Sequence, residues 1–355
     1  MRLRRLVARG FRNLADVDRE LPAGGVALLG ANGQGKTNLL EAIYYPVLFR
    51  SFRGVADPDV ARFGGSGFHV ELALEGAEAG DVAATWSGPR RKRIAVDGEE
   101  IERVADAAGR WLAVAFRPED VRLAGGPAAE RRRYLDRLLS LASHPYLRAL
   151  ARYRAALARR NGALRQGRPE IARMFDPLLA VEGATVVRTR LDWVAAAAER
   201  FAAELAGLGE TERVCLRYQG RSELADPAAW PAALEAAAAR DRARGSTTVG
   251  PHRDDLVLEL AGRPLRVVGS TGQERTAAVA LKLLELGWLA ASRGSEPALL
   301  LDDVFAELDG ERQKRLARRL GDGNGRQVFL TAPRQDELPS GLELPVWTVH
   351  AGAVR

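Results

Sequence analysis

Gly25-Val-Ala-Leu-Leu-Gly30-Ala31-Asn32-Gly33-Gln34-Gly35-Lys36-Thr37-Asn38-Leu-Leu-Glu-Ala-Ile43 is the stretch on which the fold turns. Apolar residues make a short strand, a glycine-rich turn follows, and Lys36-Thr37 opens an amphipathic helix. This is the strand–GxxxxGK(S/T)–helix order of a phosphate cradle. The glycines let backbone N–H groups converge on an anion with no Cβ in the way. The helix start adds unpaired N–H groups and the positive end of its dipole. Gly30, Ala31, Asn32, Gly33, Gln34, Gly35, Lys36, Thr37 and Asn38 are therefore expected to hold ATP. Lys36 would reach the β- and γ-phosphates, and the Thr37 hydroxyl would hold Mg²⁺.

Composition favours that reading. The chain has four lysines, Lys36, Lys92, Lys282 and Lys314, against forty-nine arginines. A chain that writes nearly every cation as arginine keeps a compact ammonium at position 36, where a point charge on phosphate is wanted.

A chain of 355 residues can build two domains, each with its own core. Its single Cys215 forms no internal disulfide, which fits a reducing compartment. No run of eighteen apolar residues occurs, and Met1-Arg-Leu-Arg-Arg-Leu6 lacks a signal-peptide core, so a cytoplasmic protein without a membrane partner is expected. The net charge of +7 points to a polyanionic partner, and it is local. Residues 121–250 hold 22 arginines and 14 acids, and within them residues 122–168 hold 12 arginines against only Glu130 and Asp136.

Apolar patterning predicts strands at 3–8, 17–21, 26–29, 68–74, 82–86 and 111–116. A hairpin is expected over 94–101, where Asp97-Gly98 suits a type I′ turn. Composition then turns Ala/Leu/Arg-rich, predicting helices at 128–141, 145–165, 170–208 (broken near Asp176-Pro177) and 230–244, with one strand at 213–218. Strands return at 246–249, 256–260, 265–268, 298–301, 328–331 and 346–349, with helices at 274–292 and 310–320. The expected organisation is an α/β domain in two halves, 1–120 and 246–355, around an inserted basic helical domain at 121–245.

Ala298-Leu-Leu-Leu301-Asp302-Asp303 reads as a buried strand that delivers two acids to a ligand crevice. Asp302 would hold Mg²⁺ opposite Thr37, and Asp303 would orient or activate the attacking water. As catalytic residues the reading therefore names Lys36, Asp302 and Asp303. Ser270-Thr-Gly272-Gln273 opens a long helix, either as a simple N-cap turn or as a second anion-binding helix start. Two such elements rarely touch one phosphate within a chain, which suggests two chains sharing each nucleotide.

Together these residues resemble the ATP-binding-cassette ATPases: 30–37 as Walker A, 270–273 as the signature loop, 299–303 as Walker B, and Glu307-Leu308-Asp309 as the loop that crosses to a partner subunit. The fit is closer to the RecF family of recombination mediators. Phe11-Arg12-Asn13-Leu14, Arg117-Pro-Glu-Asp-Val121, Arg131-Arg-Arg-Tyr-Leu-Asp136, Thr248-Val-Gly-Pro-His-Arg-Asp-Asp255 and the Asp302–Asp309 stretch all look like that family, in order along almost the whole chain. The resemblance implies an ABC-type P-loop head with an inserted, mainly helical second domain and no long coiled coil. It also implies an ATP-dependent homodimer on DNA at single-strand gaps, slow hydrolysis, and action with RecR and RecO to load RecA. Ser270, Gly272 and Gln273 would then contact the nucleotide of the other subunit.

Several positions depart from the general cassette pattern. Asp303 is one methylene shorter than the usual glutamate, no glutamine lies between Gln34 and Gln166, and Thr331 stands where a switch histidine is common, with His252 as a substitute. Arg12 and Asn13 are candidates for the adenine end. For DNA the candidates are Arg131, Arg132, Arg133, Arg148, Arg152 and Arg159, the last three on one helix face. Two other readings stand beside this one. A transporter's ATPase subunit fits the basic insert poorly, and a small-molecule kinase leaves 270–273 unexplained.

Overall fold

The computed structural model describes residues 1–76, 80–88, 91–305, 310–321, 325–339 and 343–355. The chain divides into two compact units, Met1–Asp120 with Glu285–Arg355, and Val121–Leu284. Residues 246–284, expected with the second half of the α/β domain, instead belong to the second unit. The reason is pairing: the strand at 255–260 ladders with the one at 214–219 rather than with any strand of the first unit.

The first unit has two sheets. One is antiparallel, built from β1 (Arg2–Arg9), β2 (Val17–Glu20), β4 (Gly67–Glu75), β5 (Gly80–Ser87), β6 (Arg91–Val96) and β7 (Glu99–Ile101), in the order β2-β1-β4-β5-β6-β7. Burial alternates along β4 and β5, as expected for strands with one covered face. Asp97 and Gly98 both have positive φ, the geometry a type I′ hairpin requires. Phe11, Tyr45 and Phe68 meet edge-to-face beneath this sheet.

The other sheet carries β3 (Gly25–Leu29), β8 (Ala113–Phe116), β12 (Ala298–Asp302), β13 (Val328–Ala332), β14 (Val346–His350) and β15 (Ala353–Val354), ordered β15-β14-β3-β13-β12-β8. β14, β3, β13, β12 and β8 run parallel. Their continuous apolar runs follow from burial: every residue of β8, β12 and β13 is buried. β13 sits between β3 and β12, with Thr331 opposite both Leu28 and Asp302. The loop after β3, Thr331 and the Asp302-Asp303 pair thus leave the sheet at one edge, the carboxyl ends of the strands. Helix α1 (Lys36–Tyr44) follows β3, and α7 (Gly310–Gly321) precedes β13.

The second unit holds α2 (Ala128–Ala142), α3 (His144–Arg165), α4 (Asp176–Gly207) and α5 (Trp230–Arg244). A small sheet joins β9 (Val214–Gln219), β10 (Asp255–Leu260) and β11 (Arg263–Pro264), and the unit boundary falls within α6 (Thr271–Arg293). Trp230 is the hub of its core, donating from its indole to the Leu224 carbonyl oxygen at 2.9 Å. Gly183 of α4 lies so close that a Cβ there would sit 2.3 Å from the Trp230 ring.

Two expected strands are absent. Residues 246–249 are irregular because side chains take the place of a ladder: the Thr247 N–H donates to Asn161 Oδ1 at 2.7 Å, and the Thr248 N–H to Asp241 Oδ1 at 2.9 Å. Residues 265–268 form one helical turn after Pro264, closed by Gly269 N–H to the Leu265 oxygen at 2.7 Å. No helix among the described residues is long and apolar enough to cross a membrane.

Candidate functional site

The loop 30–35 is shaped by its glycines. Gly33 has φ +80° with open space around the position of a Cβ, and a Cβ on Gly30 would lie 2.3 Å from the Val349 carbonyl oxygen. Side chains pin the loop from outside. Asn13 Nδ2 donates to the Gly33 oxygen at 3.3 Å and its Oδ1 accepts from Asn38 at 2.6 Å. Gln34 Oε1 accepts from the Ala351 N–H at 2.6 Å, and the Gln34 carbonyl oxygen from the Gly352 N–H at 2.9 Å.

Lys36 is 4% exposed, and its ammonium folds back to donate to the Gly30 oxygen at 2.6 Å and the Ala31 oxygen at 3.3 Å. These are neutral acceptors, and the charge of Lys36 has no counter-ion among the described residues. Thr37 Oγ1 donates to Asp302 Oδ1 at 2.8 Å, joining the start of α1 to the end of β12. Thr331 Oγ1 lies 3.0 Å from both Asp302 Oδ1 and Asp303 Oδ1 and accepts from the Asp303 N–H at 3.0 Å. Asp303 has φ +49°, a left-handed conformation that aspartate tolerates better than most residues.

Burial pushes the Asp302 carboxyl above its ordinary range; hydrogen bonds from Thr37 and Thr331 oppose this, while the charges of Asp303 and Glu119 add to it. Such a carboxylate is one that a cation would stabilise. A hydroxyl and a carboxylate are hard oxygen donors, the set that suits Mg²⁺ completed by phosphate and water. The donors at Thr37 and Asp302 thus fit the ion expected there.

Sequence reading missed the support beneath α1. Glu41 is fully buried and accepts from Arg12 through both oxygens, at 2.8 and 3.0 Å, as well as from the Ser51 hydroxyl. Arg53 lies 3.5 Å from Glu41 and donates to Asn38 Oδ1 at 2.8 Å. Arg12, expected at the adenine end, is therefore tied to Glu41 and to the Asp59 oxygen, whereas Asn13 does touch the loop. The one signal available was an acid at position 41 inside an otherwise apolar helix face. Glu119 was missed as well, although it follows β8 beside the Asp302 strand.

In the second unit, Ser270 and Gln273 form a reciprocal cap at the start of α6. Ser270 Oγ accepts from the Gln273 N–H at 3.2 Å, and Gln273 Oε1 from the Ser270 N–H at 3.0 Å. The N-cap reading of this turn is thus realised, and Ser270 remains exposed. Glu307, Leu308 and Asp309 lie outside the described residues.

The arginines separate into two kinds. Arg131 is buried and grips Asp255 with two N–H groups at 2.8 Å each, so it leaves the set of DNA candidates: the fold consumes its guanidinium. Arg132 donates to the Asp254 carbonyl oxygen at 2.8 Å and is half-buried. Arg133 and Arg152 are exposed and pair with Glu130 and Glu182. Arg148 and Arg159 are exposed and form no ion pair among the described residues. His252, the substitute for a switch histidine in the sequence reading, is held on both ring nitrogens. Its Nε2–H donates to the Thr247 oxygen at 3.0 Å, its Nδ1 accepts from the Tyr153 hydroxyl at 2.6 Å, and burial pushes its pKa down to about 4.

No family model matches the chain. It is 37% identical over 380 aligned residues to the DNA replication and repair protein RecF of Anaeromyxobacter dehalogenans (strain 2CP-1), covering 100% of this chain and 99% of that one. The protein of the same name from Heliobacterium modesticaldum is 36% identical over 333 residues, covering 90% and 89%. Among solved structures the chain is similar to the recombination mediator protein RecF-ATP in the RecFOR pathway, with a TM-score of 0.91, 30% identity and coverage of 100% and 97%. An Smc head bound to the C-winged helix domain of ScpA matches with a TM-score of 0.59 at 14% identity, a likeness of fold.

Proposed function

This chain belongs to the RecF family of DNA replication and repair proteins, and from that premise we propose that it is an ATP-gated DNA-binding ATPase. The observation that carries the reading is the 2.8 Å contact of Thr37 with Asp302, which brings a hydroxyl and a buried carboxylate to the edge of the phosphate loop. ATP would be held by the N–H groups at the start of α1 and by Lys36, which exchanges two neutral carbonyl oxygens for phosphate oxygens. Thr37 and Asp302 would hold Mg²⁺, which supplies charge neutralisation on the β- and γ-phosphates when bound. Asp303, with Thr331 against it, would orient the attacking water; a short carboxylate in a fixed turn suits slow turnover.

The helix start at 270–273, with Ser270 and Thr271 exposed, suits the nucleotide of a second copy, so that ATP closes a homodimer. DNA would lie on the arginine-rich unit through Arg132, Arg133, Arg148, Arg152 and Arg159, giving sequence-independent, salt-sensitive binding. In this reading the protein works in the cytoplasm at gaps or single-strand–duplex junctions, with RecO and RecR, to help load RecA. The test is anisotropy with a gapped duplex at moderate salt, with and without ATP. Binding that strengthens with ATP supports the gate; binding indifferent to ATP removes it.

A further inference from the structure

The Thr248–Asp255 motif has no part in the nucleotide site, yet Pro251 and His252 help wall a cleft of about 230 Å³ in the second unit. Arg132, Arg133, Arg154 and Arg190 line it, against Asp136 as the one carboxylate among the lining residues. That carboxylate is already engaged: Oδ1 accepts from Arg190 at 2.6 Å and from the Tyr146 hydroxyl at 2.8 Å, and Oδ2 accepts from Arg154 at 2.6 Å. Arg190 uses all three nitrogens, donating also to the Tyr146 and Tyr218 hydroxyls and the Pro251 oxygen. The Tyr153 hydroxyl donates to His252 Nδ1 at 2.6 Å, and His252 Nε2–H donates to the Thr247 oxygen at 3.0 Å.

What remains over is donors. Arg132 gives one N–H to the Asp254 oxygen and has no other partner among the described residues. Arg154 gives one nitrogen to Asp136 and is about half exposed, and Arg133 keeps one end nitrogen unpaired among the described residues. Forked cationic donors in surplus, beside a single carboxylate that already accepts three bonds, suit a ligand that only accepts, which is phosphate. No group of three His, Cys, Asp or Glu that could hold a metal ion stands among the described residues, and a base edge, which both donates and accepts, would be half-satisfied. The cleft opens to solvent in a segment, residues 122–168, that holds 12 arginines against two acids. That excess favours a phosphate that is part of a long anion.

We propose that this cleft holds a backbone phosphodiester of duplex DNA. The inference rests on the DNA-binding reading above and names where that unit grips one phosphate. The test compares the wild type with Arg133→Gln/Arg154→Gln on a blunt duplex, with and without a 5′-phosphate, in ATP across a salt series. The expected result is about a tenfold loss of affinity on both duplexes and a log K–log salt slope shallower by about one to two. A second variant, Ala129→Glu, keeps every arginine and adds a carboxylate to the exposed lining; it should weaken binding in the same way, and thermal melts check that both variants fold. Unchanged affinity and slope in the folded variants, with ATP-dependent binding by the wild type, would overturn the cleft and leave the functional reading standing. A loss confined to the 5′-phosphorylated duplex would make it an end-phosphate site instead. Failure of the wild type to bind DNA in ATP would sink the functional reading, and the cleft with it.

Discussion

The phosphate loop and the Arg190–Asp136 cluster both bury charge, but they dispose of it in opposite ways. Lys36 rests on two neutral carbonyl oxygens and pairs with no carboxylate among the described residues, so its bonds can be exchanged for a better acceptor. Asp136 receives three donors, two of them guanidinium, and Arg190 uses all three of its nitrogens. Burial works against the Arg190 charge, yet Tyr146, Asp136 and Tyr218 together hold its pKa well above the ordinary value. A buried charge left half-satisfied is ready for a ligand, whereas one that is paired and fully hydrogen-bonded is locked into the fold.

The sharpest way to break this contrast is Asp136→Ala. It strands Arg190 without a counter-ion, and we expect about 3–5 kcal/mol of lost stability by denaturant titration. A loss under about 1 kcal/mol would mean that water already serves that cluster.

Next comes pH. His252 is neutral in the fold, with a pKa near 4 against an ordinary 6.5, first through burial. Between those values the unfolded chain binds more protons, so stability falls as pH drops from about 6.5 to 4, by up to about 3 kcal/mol. Asp254, held high by its own burial, works the other way, so the informative quantity is the difference between wild type and His252→Gln. A difference that stays flat across that window would contradict the buried neutral imidazole.

Lys36→Met tests the exchangeable side. Affinity for ATP should fall about a hundredfold, or about 2.7 kcal/mol, by calorimetry. The melting temperature without nucleotide should barely move, since only neutral partners are lost. A large loss of stability would class Lys36 with the locked charges.

The smallest expected effect is at the cap of α6. Ser270→Ala removes one reciprocal bond and should cost about 1 kcal/mol, whereas Ser270→Arg should prevent ATP-dependent dimerisation in sedimentation while leaving ATP binding intact. A dimer that persists in the arginine variant would end the shared-site reading.

Much of this molecule could be read along the chain because the physics was local. The β3–loop–α1 order, the Asp97-Gly98 turn and the continuous apolar runs of β12 and β13 depend on backbone sterics and on burial of neighbouring residues. The strand at 246–249 failed because side chains supply the hydrogen bonds that a neighbouring strand would have made: Asn161, 86 positions away, and Asp241, at the end of the preceding helix.

The sequence by itself therefore determined that a glycine-rich loop joins a buried strand to a helix opened by Lys36, that Asp302 ends a buried strand, and that positive charge concentrates in residues 122–168. Each is a property of adjacent residues or of composition. Only the tertiary structure decided which charges remain available. Arg131, Arg132 and Arg133 are consecutive, yet one is consumed by Asp255, 124 positions away, and the other two stand at the edge of a cleft. Likewise Thr37 meets Asp302 across 265 positions because β13 holds β3 and β12 in one register. Side-chain availability is settled by which partners the folded chain brings within hydrogen-bond distance, and composition carries no record of that.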